Sequence, residues 1–316
     1  MTKGRVVAGA TAAERRRLRA TIGTLRDLRV GKGVQRRYKA AVSFFLWYCW
    51  AAFGRLADNY EELDRFAVCF IHAAWQEGEP RSVVADTLSG LLHFIDRKKI
   101  IPTAWSWLTT WEQHEMPTRA HPLSSMMVCA LSGILWHHGF LEECCVISVA
   151  FCGMLRTAEL LELRRSHVSF GLGKASLVLC GKTGTRTGSL ESAVIDDAVA
   201  LRLLRLLCDT KRGPEKLLSG TPYSFRRRWK WAIRSFHLNV LDHQPYGLRR
   251  GGACEDFAQF GDGPRLCLRG RWGSVRTARV YAEEALRVRQ ISELSKESEA
   301  AINYWATEFQ RRFAAL

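Results

Sequence analysis

The feature that most constrains the fold is the spacing of apolar residues, which follows a helical period along most of the chain. The pattern is clearest in residues 38–56, where apolar side chains recur at steps of three and four: Tyr38, Ala41, Val42, Phe45, Leu46, Cys49, Ala52, Phe53 and Leu56. That spacing puts them on one face of a long helix. Three further helices are predicted over about 60–77, 81–96 and 103–114. Pro117 and Pro122 mark a break, so the first part of the chain is predicted to be a small helical domain.

The second part of the chain changes from helices to strands and back. Helices are predicted near 123–138 and 141–153. Three short β-rich segments follow, "SHVSF", "KASLVLCG" and "TGSLESAVI", and the glycines of "KTGTRTG" predict a hairpin turn between the last two. Helices resume over about 196–208, 222–237, 247–260 and 274–289. The predicted fold class is mainly α with a small antiparallel β-sheet.

The two ends of the chain lead to separate predictions. Residues 1–30 are basic with few apolar positions, which predicts a mobile arm that touches phosphates, or else an unstructured tail with no role. Residues 291–316 place seven apolar side chains on one stripe: Ile291, Leu294, Ile302, Trp305, Phe309, Phe313 and Leu316. Such a stripe needs a partner surface, on its own domain or on a neighbouring subunit. The predicted divisions are therefore 1–30, 31–118, 119–290 and 291–316.

The charge of the chain indicates a polyanionic partner. The 316 residues carry a formal net charge of +16 at pH 7. Residues 1–40 hold twelve Lys and Arg against Glu14 and Asp27, and residues 211–234 hold eight against Glu215 alone. We favour nucleic acid over a membrane surface, because these residues belong to an ordinary globular chain and not to one amphipathic anchor.

Other classes of function are disfavoured. The ten cysteines lack a CxxC pair and a disulfide framework, which indicates reduced thiols in an intracellular protein. No apolar run approaches the roughly 20 residues that cross a bilayer, so we expect a soluble protein without a membrane partner. A metal site is not expected, since six histidines lack matching cysteines or carboxylates: His72, His93, His114, His121, His137 and His138. Six tryptophans of the first domain are expected in its core: Trp47, Trp50, Trp75, Trp105, Trp107 and Trp111.

Four clusters in the second domain carry candidate chemistry. Arg156 and Glu159 share a helical face in "GMLRTAELLELRRSHV", and Lys182 lies at the tip of the predicted hairpin. In "PYGLRRGGACEDF", Tyr246 and Arg249 lie one turn apart, and Gly251 and Gly252 permit close backbone approach. The fourth cluster places Trp272 nine residues before Tyr281, in "GRWGSVRTARVYAEEA". Each cluster alone also fits an ordinary surface or packing role.

Taken in order, the four clusters resemble the tyrosine recombinase (phage integrase) family of site-specific DNA recombinases, over about residues 35–290. "LRTAELLEL" is similar to the family's first arginine motif, which gives Arg156 and the accompanying acid Glu159. "CGKTGTR" is similar to its lysine hairpin, and "YGLRRGGA" to its second arginine box, which gives Arg249. Trp272 and Tyr281 are similar to the last box, and the 23-residue step from Arg249 to Trp272 also fits.

One position departs from the family pattern. Tyr246 stands where the family usually has histidine, and a phenol with an ordinary pKa of about 10 is mainly a hydrogen-bond donor at pH 7. Tyr246 is thus expected to orient a phosphate oxygen and to be a poor base. His243 could compensate only if the local turn brings it round, which we do not expect.

The resemblance implies a helical N-terminal core-binding domain and an α+β catalytic domain that act on double-stranded DNA, as in integration of mobile elements. It implies that Tyr281 attacks phosphorus to give a 3′-phosphotyrosyl link. Arg156, Arg249 and Trp272 would donate to the phosphate oxygens, and Lys182 would protonate the leaving 5′-oxygen. No metal or organic cofactor is implied. A tetramer on paired DNA sites is expected, located with the DNA inside the cell.

Two alternatives to a recombinase stay open at this point. A type IB topoisomerase shares the same arginines, lysine and tyrosine and relaxes supercoils as a monomer. A DNA-binding protein that descends from a recombinase and no longer cleaves DNA would be consistent with Tyr246.

Overall fold

The computed structural model describes residues 11–22, 29–97, 99–115, 119–179, 191–282, 288–289 and 291–316. The chain divides into two compact units, Met1–Thr118 and Arg119–Leu316. Within the described ranges, no helix combines the length and the apolar character needed to span a membrane.

The described part of the first unit is helical. Its helices are α1 (Ala12–Ile22), α2 (Lys32–Phe53), α3 (Tyr60–Gln76), α4 (Arg81–Ile95) and α5 (Pro102–His114). Side chains at the predicted spacing of α2, such as Phe45 and Cys49, pack against Phe70 of α3 and Leu88 of α4 in one core. Helix α1 lies within the predicted arm, and the mobility of that arm stays a prediction.

Side chains and glycines set the ends of these helices. Asn59 accepts a hydrogen bond from the backbone N–H of Glu62 and begins α3. The buried carboxylate of Asp64 accepts from the N–H groups of Thr103 and Ala104, which satisfies the first turn of α5 from another helix. Gly54, with a φ of 71°, ends α2 in the left-handed conformation that glycine favours.

The prediction that the tryptophans of this unit lie in the core is wrong for four of the six. Trp111 is buried and Trp105 packs against the core, but the other four are exposed: Trp47, Trp50, Trp75 and Trp107. The reason is visible on α2, where Trp47 follows the buried Phe45 by two residues. Residues that are two positions apart in a helix lie about 200° apart around its axis, so Trp47 faces away from the core.

In the second unit, helices pack around a small sheet. Its elements are α6 (Ser125–His137), α7 (Leu141–Cys152), α8 (Thr157–Glu162), β1 (Val168–Gly171), β2 (Lys174–Leu179), β3 (Glu191–Ile195), α9 (Ala198–Asp209), α10 (Pro222–Ser235), α11 (Gly247–Phe260), α12 (Gly263–Gly270), α13 (Val275–Arg279) and α14 (Lys296–Ala314). The strands are antiparallel in the order β1-β2-β3, and Leu177 of β2 lies opposite both Val168 and Ala193. The predicted fold class, mainly α with a small antiparallel sheet, is confirmed.

The region around the last motif differs from the prediction. In place of one helix over 274–289, the described residues form the short helix α13, and Tyr281 follows it in a turn. Helix α12 was not predicted from the sequence; Asp262 caps it by accepting from the N–H of Arg265. The "KTGTRTG" turn and Lys182 lie outside the described residues.

The C-terminal helix α14 packs on its own unit. Ile302, Ala306 and Phe309 are buried in the core that contains α6. Gly133 of α6 makes this close approach possible, because a Cβ there would lie 2.1 Å from the carbonyl oxygen of Trp305. Over these residues the apolar stripe therefore packs on its own domain, which was one of the two expectations. Docking on a neighbouring subunit stays a prediction.

Replacing Gly133 by alanine tests this packing. The added methyl group meets a backbone carbonyl, which cannot rotate away, so we expect Gly133→Ala to lower the free energy of unfolding of this unit by about 2 kcal/mol. Urea unfolding measures that change, and amide hydrogen exchange of α14 should become faster. Gly213→Ala is the control, since no atom lies within 4 Å of its Cβ position. Equal losses in both variants would contradict the packing argument.

Candidate active site

The first predicted pair, Arg156 and Glu159, lies at the start of α8. Glu159 accepts hydrogen bonds from the backbone N–H of Arg156, at 2.8 Å, and from its guanidinium. Glu191, the first residue of β3, accepts from the same guanidinium at 2.8 Å. The Glu159 side chain is 2% exposed and that of Arg156 is 26% exposed. The pair is therefore not a surface ion pair but a partly exposed cation that two largely buried carboxylates hold in place.

The guanidinium of Arg156 stays charged in this environment. Burial disfavours the charge, but the hydrogen bonds and charges of Glu159 and Glu191 outweigh it and raise the pKa of Arg156. A permanently charged fork with some solvent exposure suits contact with an anion.

Arg249 of α11 is buried more deeply, at 1% exposure. Its guanidinium donates to the carbonyl of Met154 at 2.7 Å and to the carbonyl of Gly270. It also lies 4.7 Å from the ring centroid of Trp272 and 5.6 Å from that of Tyr281. Burial and the neighbouring guanidiniums of Arg271 and Arg156 lower the pKa of Arg249 to about 10. Positive charge is thus concentrated here, and a bound anion would relieve it.

The glycines after Arg249 let α11 enter this crowded region. A Cβ at Gly251 would lie 2.0 Å from the carbonyl oxygen of Leu123, and one at Gly252 would lie 2.1 Å from that of Phe151. The close backbone approach predicted for these glycines is confirmed. It brings Arg249 beside the turn that follows α7, where Met154 adopts a φ of 46°.

Tyr246 and Tyr281 contact each other through their hydroxyl groups. Tyr246 donates to the Tyr281 oxygen at 2.7 Å. The ring of Tyr281 lies 4.5 Å from the indole ring of Trp272. Burial and the hydrogen bond to Tyr281 raise the pKa of Tyr246 to about 12. Tyr246 therefore keeps its proton at neutral pH and can direct it at the Tyr281 oxygen.

Three N–H groups of the site are buried without a hydrogen-bond partner in the described part of the chain. They belong to Arg249 (Nε), Arg271 (Nε) and Trp272 (Nε1). A buried donor without a partner costs about 1–3 kcal/mol, and native structures concentrate such exceptions at functional sites. The guanidinium of Arg249 lies over the indole ring of Trp272, so the donors of these two side chains suit an oxyanion.

The sequence analysis did not place Arg271 or Glu191 among the site residues. Arg271 follows α12 and is 7% exposed; its guanidinium donates at 3.0 Å to the carbonyls of Gly153 and Met154 and to the carboxylate of Glu159. Its position directly before Trp272 was a usable signal. Glu191 has no comparable signal, because it lies 35 residues after its partner Arg156.

Two other candidates lie elsewhere. Lys182 is outside the described residues, so its position relative to the cluster stays a prediction. His243 is buried, with Nδ1 at 2.9 Å from the carbonyl oxygen of Asn239 and its ring 5.4 Å from that of His121. Burial also lowers the pKa of His243. As expected, the local turn does not bring this ring to the place of Tyr246.

No group of three or more histidine, cysteine, aspartate or glutamate side chains arranged to hold a metal ion occurs among the residues that the structure describes.

Replacing Glu159 tests the ion-pair network. Glu159→Gln removes one of two carboxylates that hold Arg156 and Arg271, and loss of one partner in a buried pair typically costs about 3 kcal/mol. We expect a drop of that size in the free energy of unfolding, measured with urea. Glu293→Gln removes the exposed partner of Arg289 and should leave stability nearly unchanged. A stable Glu159→Gln protein would contradict the network.

The fold of this chain is similar to that of solved structures. The XerH site-specific recombinase bound to palindromic difH substrate, a post-cleavage complex, superposes with a TM-score of 0.55 at 14% identity, over 82% of this chain and 79% of that chain. The pre-cleavage complex of XerH gives a TM-score of 0.53 at 14% identity, over 83% and 79%. The Tn1549 transposon integrase in complex with circular intermediate DNA gives 0.51 at 10% identity, over 81% and 98%.

Neither a scan against protein-family models nor a search of curated proteins found a match. The structural likeness is nevertheless extensive along both chains. The protein has the tyrosine recombinase fold.

Proposed function

We propose that this protein cuts and rejoins DNA strands at specific sites through a covalent link to Tyr281. The observation that carries the proposal is the cluster itself. Arg156 and Arg271 pair with two carboxylates, Arg249 lies against the rings of Trp272 and Tyr281, and buried N–H groups there lack hydrogen-bond partners among the described residues. The fold is shared with recombinases and an integrase whose structures contain DNA, which supports DNA as the substrate.

In the proposed reaction, the Tyr281 oxygen attacks a backbone phosphorus atom. A bond forms between that oxygen and phosphorus, the bond from phosphorus to the 5′-oxygen breaks, and the strand is left with a 3′-phosphotyrosyl end. The proton of Tyr281 passes to solvent, and the leaving 5′-oxygen takes a proton from Lys182. Attack by another 5′-hydroxyl reverses these steps, so rejoining needs no external energy source.

The arginines stabilise the transition state of this reaction. Five-coordinate phosphorus carries more negative charge than the diester, so fixed cations bind it more strongly than the ground state. Arg156 offers the partly exposed fork, and the indole N–H of Trp272 adds a neutral donor. Loss of one such donor typically raises the barrier by about 3 kcal/mol.

In this reaction Tyr246 forms a hydrogen bond with the nucleophile, the Tyr281 oxygen. Its hydroxyl donates to the Tyr281 oxygen, and a donor in that place stabilises the phenolate that attacks. Tyr246 does not act as a base through its phenolate at neutral pH, because burial and the hydrogen bond to Tyr281 raise its pKa to about 12. This role differs from the phosphate contact expected from the sequence.

Substrate binding must open the cluster. The guanidinium of Arg249 is bonded to two carbonyls and is covered by the rings of Trp272 and Tyr281. A phosphate that reaches Arg249 therefore separates Tyr281 from Trp272. Arg156, which is more exposed, makes the first contact.

Both units supply basic surfaces for duplex DNA. Exposed basic side chains follow one another on α10: Arg226, Arg227, Lys230 and Arg234. Tyr223 is also exposed there. In the first unit, Arg16, Arg17 and Arg19 lie on α1 with exposed side chains. These residues bind phosphates and set the position of the DNA, so affinity falls as salt rises. A tetramer on paired sites is part of the same proposal.

The second candidate is a DNA-binding protein that no longer cleaves. Two features favour it. The guanidinium of Arg249 already donates to two backbone carbonyls and not to a phosphate, and Tyr246 stands where the family usually has histidine. A topoisomerase of type IB is distinguished by its activity on any plasmid; the proposed recombinase should not relax a supercoiled plasmid that lacks its site.

Trapping of a covalent adduct tests the proposal. The substrate is a pool of labelled DNA duplexes with a randomised centre and a nick, which lets the short fragment that bears the free 5′-hydroxyl diffuse away after cleavage. Wild type should give an SDS-resistant protein–DNA adduct. Tyr281→Phe should give none, because it lacks the attacking oxygen, while Tyr304→Phe on α14, an exposed tyrosine, should behave as wild type.

Two results of this experiment would contradict the proposal. DNA binding by wild type without any adduct supports the non-cleaving candidate. An adduct that persists in Tyr281→Phe assigns the nucleophile to another residue.

The pH dependence of adduct formation tests the role of Tyr246. Since the pKa of Tyr246 is raised to about 12, its protonation does not change near neutrality, and wild type should show no step in rate there that depends on Tyr246. Tyr246→His places an imidazole there, with an ordinary pKa of about 6.5, and should add a step between about pH 5.5 and 7.5. The rate of adduct formation is measured from pH 5 to 9 in wild type and in Tyr246→His. A neutral step already present in wild type would refute the role.

A further inference from the structure

We propose that Arg271 is a positioning residue that holds Arg156 and Arg249 in place and keeps the phosphate site positively charged. This inference rests on the proposed function, since it assigns the site to a phosphate group. Arg271 is distinct from the residues that the sequence motifs indicated.

Arg271 shares a partner with each of the other two arginines. Its Nη2 donates at 3.0 Å to Glu159, which also binds Arg156. The same nitrogen donates at 3.0 Å to the carbonyl of Met154, which accepts from Arg249 at 2.7 Å. Arg271 thus connects the segment that carries Arg156 with the helix that carries Arg249.

The second argument is the charge of the cluster. Two guanidiniums, of Arg156 and Arg271, pair with two carboxylates, of Glu159 and Glu191. The guanidinium of Arg249 pairs with neither carboxylate but lies close enough to interact with both arginines and with Glu159. The cluster has one positive charge in excess, and loss of the Arg271 charge would remove that excess. Without Arg271 the cluster is neutral, and both carboxylates bear on Arg156 alone. The attraction for an anion is then lost although Arg156 and Arg249 are still present.

The backbone of Arg271 does not explain the presence of an arginine. Its φ of 58° lies in the left-handed region, where glycine is favoured. The side chain offsets that strain through its bonds to Gly153, Met154 and Glu159. The guanidinium, not the turn, therefore gives this position its role.

Arg271 acts through its neighbours. Both of its terminal nitrogens already donate to protein oxygens, and Nε lies 3.8 Å from a Glu191 oxygen. With 7% exposure, the side chain has little surface to offer a substrate. This is why we describe it as a positioning residue.

Binding of inorganic phosphate to the full chain, measured by isothermal titration calorimetry, tests the charge argument. Arg271→Gln should weaken phosphate binding about tenfold or more, as expected for loss of one nearby charge in a partly buried site. Glu191→Gln should strengthen it, because the excess positive charge doubles. The double variant, Arg271→Gln with Glu191→Gln, restores the original excess and should return to within about threefold of wild type.

A merely structural role for Arg271 predicts a different pattern. The double variant would then bind as weakly as Arg271→Gln or more weakly, and this result would overturn the proposal. Arg311→Gln on α14, which loses an exposed partner of Glu308, is the control and should bind phosphate as wild type does. Thermal unfolding of every variant is recorded, so that a change in affinity is separated from a change in stability.

The remaining outcomes are also decisive. If Arg271→Gln does not fold, the single variant Glu191→Gln still tests the charge count, and unchanged or weaker phosphate binding would refute it. If the phosphate affinities of wild type and the variants follow the predicted order but wild type forms no DNA adduct, the role of Arg271 stands and the proposed cleavage fails. Absence of phosphate binding in wild type would overturn the role of Arg271.

Discussion

The site depends on one interaction, the bond of the buried Glu159 carboxylate to two guanidiniums. A buried arginine is costly unless an opposite charge accompanies it. Glu159 meets that need for Arg156 and Arg271 together, and Glu191 adds a second carboxylate from the edge of the sheet. Because α8, β3 and the residue after α12 all contribute, the geometry of the cluster requires the whole second unit to be folded.

The sequence predicted the parts of the structure that follow local rules. Helical spacing located most helices, as at Phe45 and Cys49, and alternating β-rich segments located the sheet. The spacing of Arg156 and Glu159 showed that they could pair. Arg249, Trp272 and Tyr281 were identified only by resemblance to a family, because nothing local to these residues indicates that they meet.

Features that depend on tertiary packing escaped prediction. Glu191 reaches Arg156 across 35 residues, and only the tertiary fold brings them together. Trp47 was expected inside, but burial of Phe45 two residues earlier turns it outward. Tyr281 lies in a turn because α13 ends at Arg279, which a continuous helical pattern over 274–289 does not reveal.

The cluster combines strong positive charge with a closed arrangement of aromatic rings. Carboxylates and backbone carbonyls hold its guanidiniums in place before any substrate arrives. The rings of Tyr281 and Trp272 meanwhile cover Arg249, and Tyr246 holds the Tyr281 hydroxyl. In this account the phosphate itself replaces those ring contacts, so that the nucleophile is released only where an anion is bound.

The most direct measurement of the central claim is a crystal structure of the protein with orthovanadate, which mimics five-coordinate phosphorus. The account predicts vanadium bonded to the Tyr281 oxygen, with vanadate oxygens in contact with Arg156, Arg249 and the Trp272 N–H. Vanadate bound away from Tyr281, or Arg156 turned away from it with Glu159 still paired, would contradict the claim that these side chains converge on one phosphate.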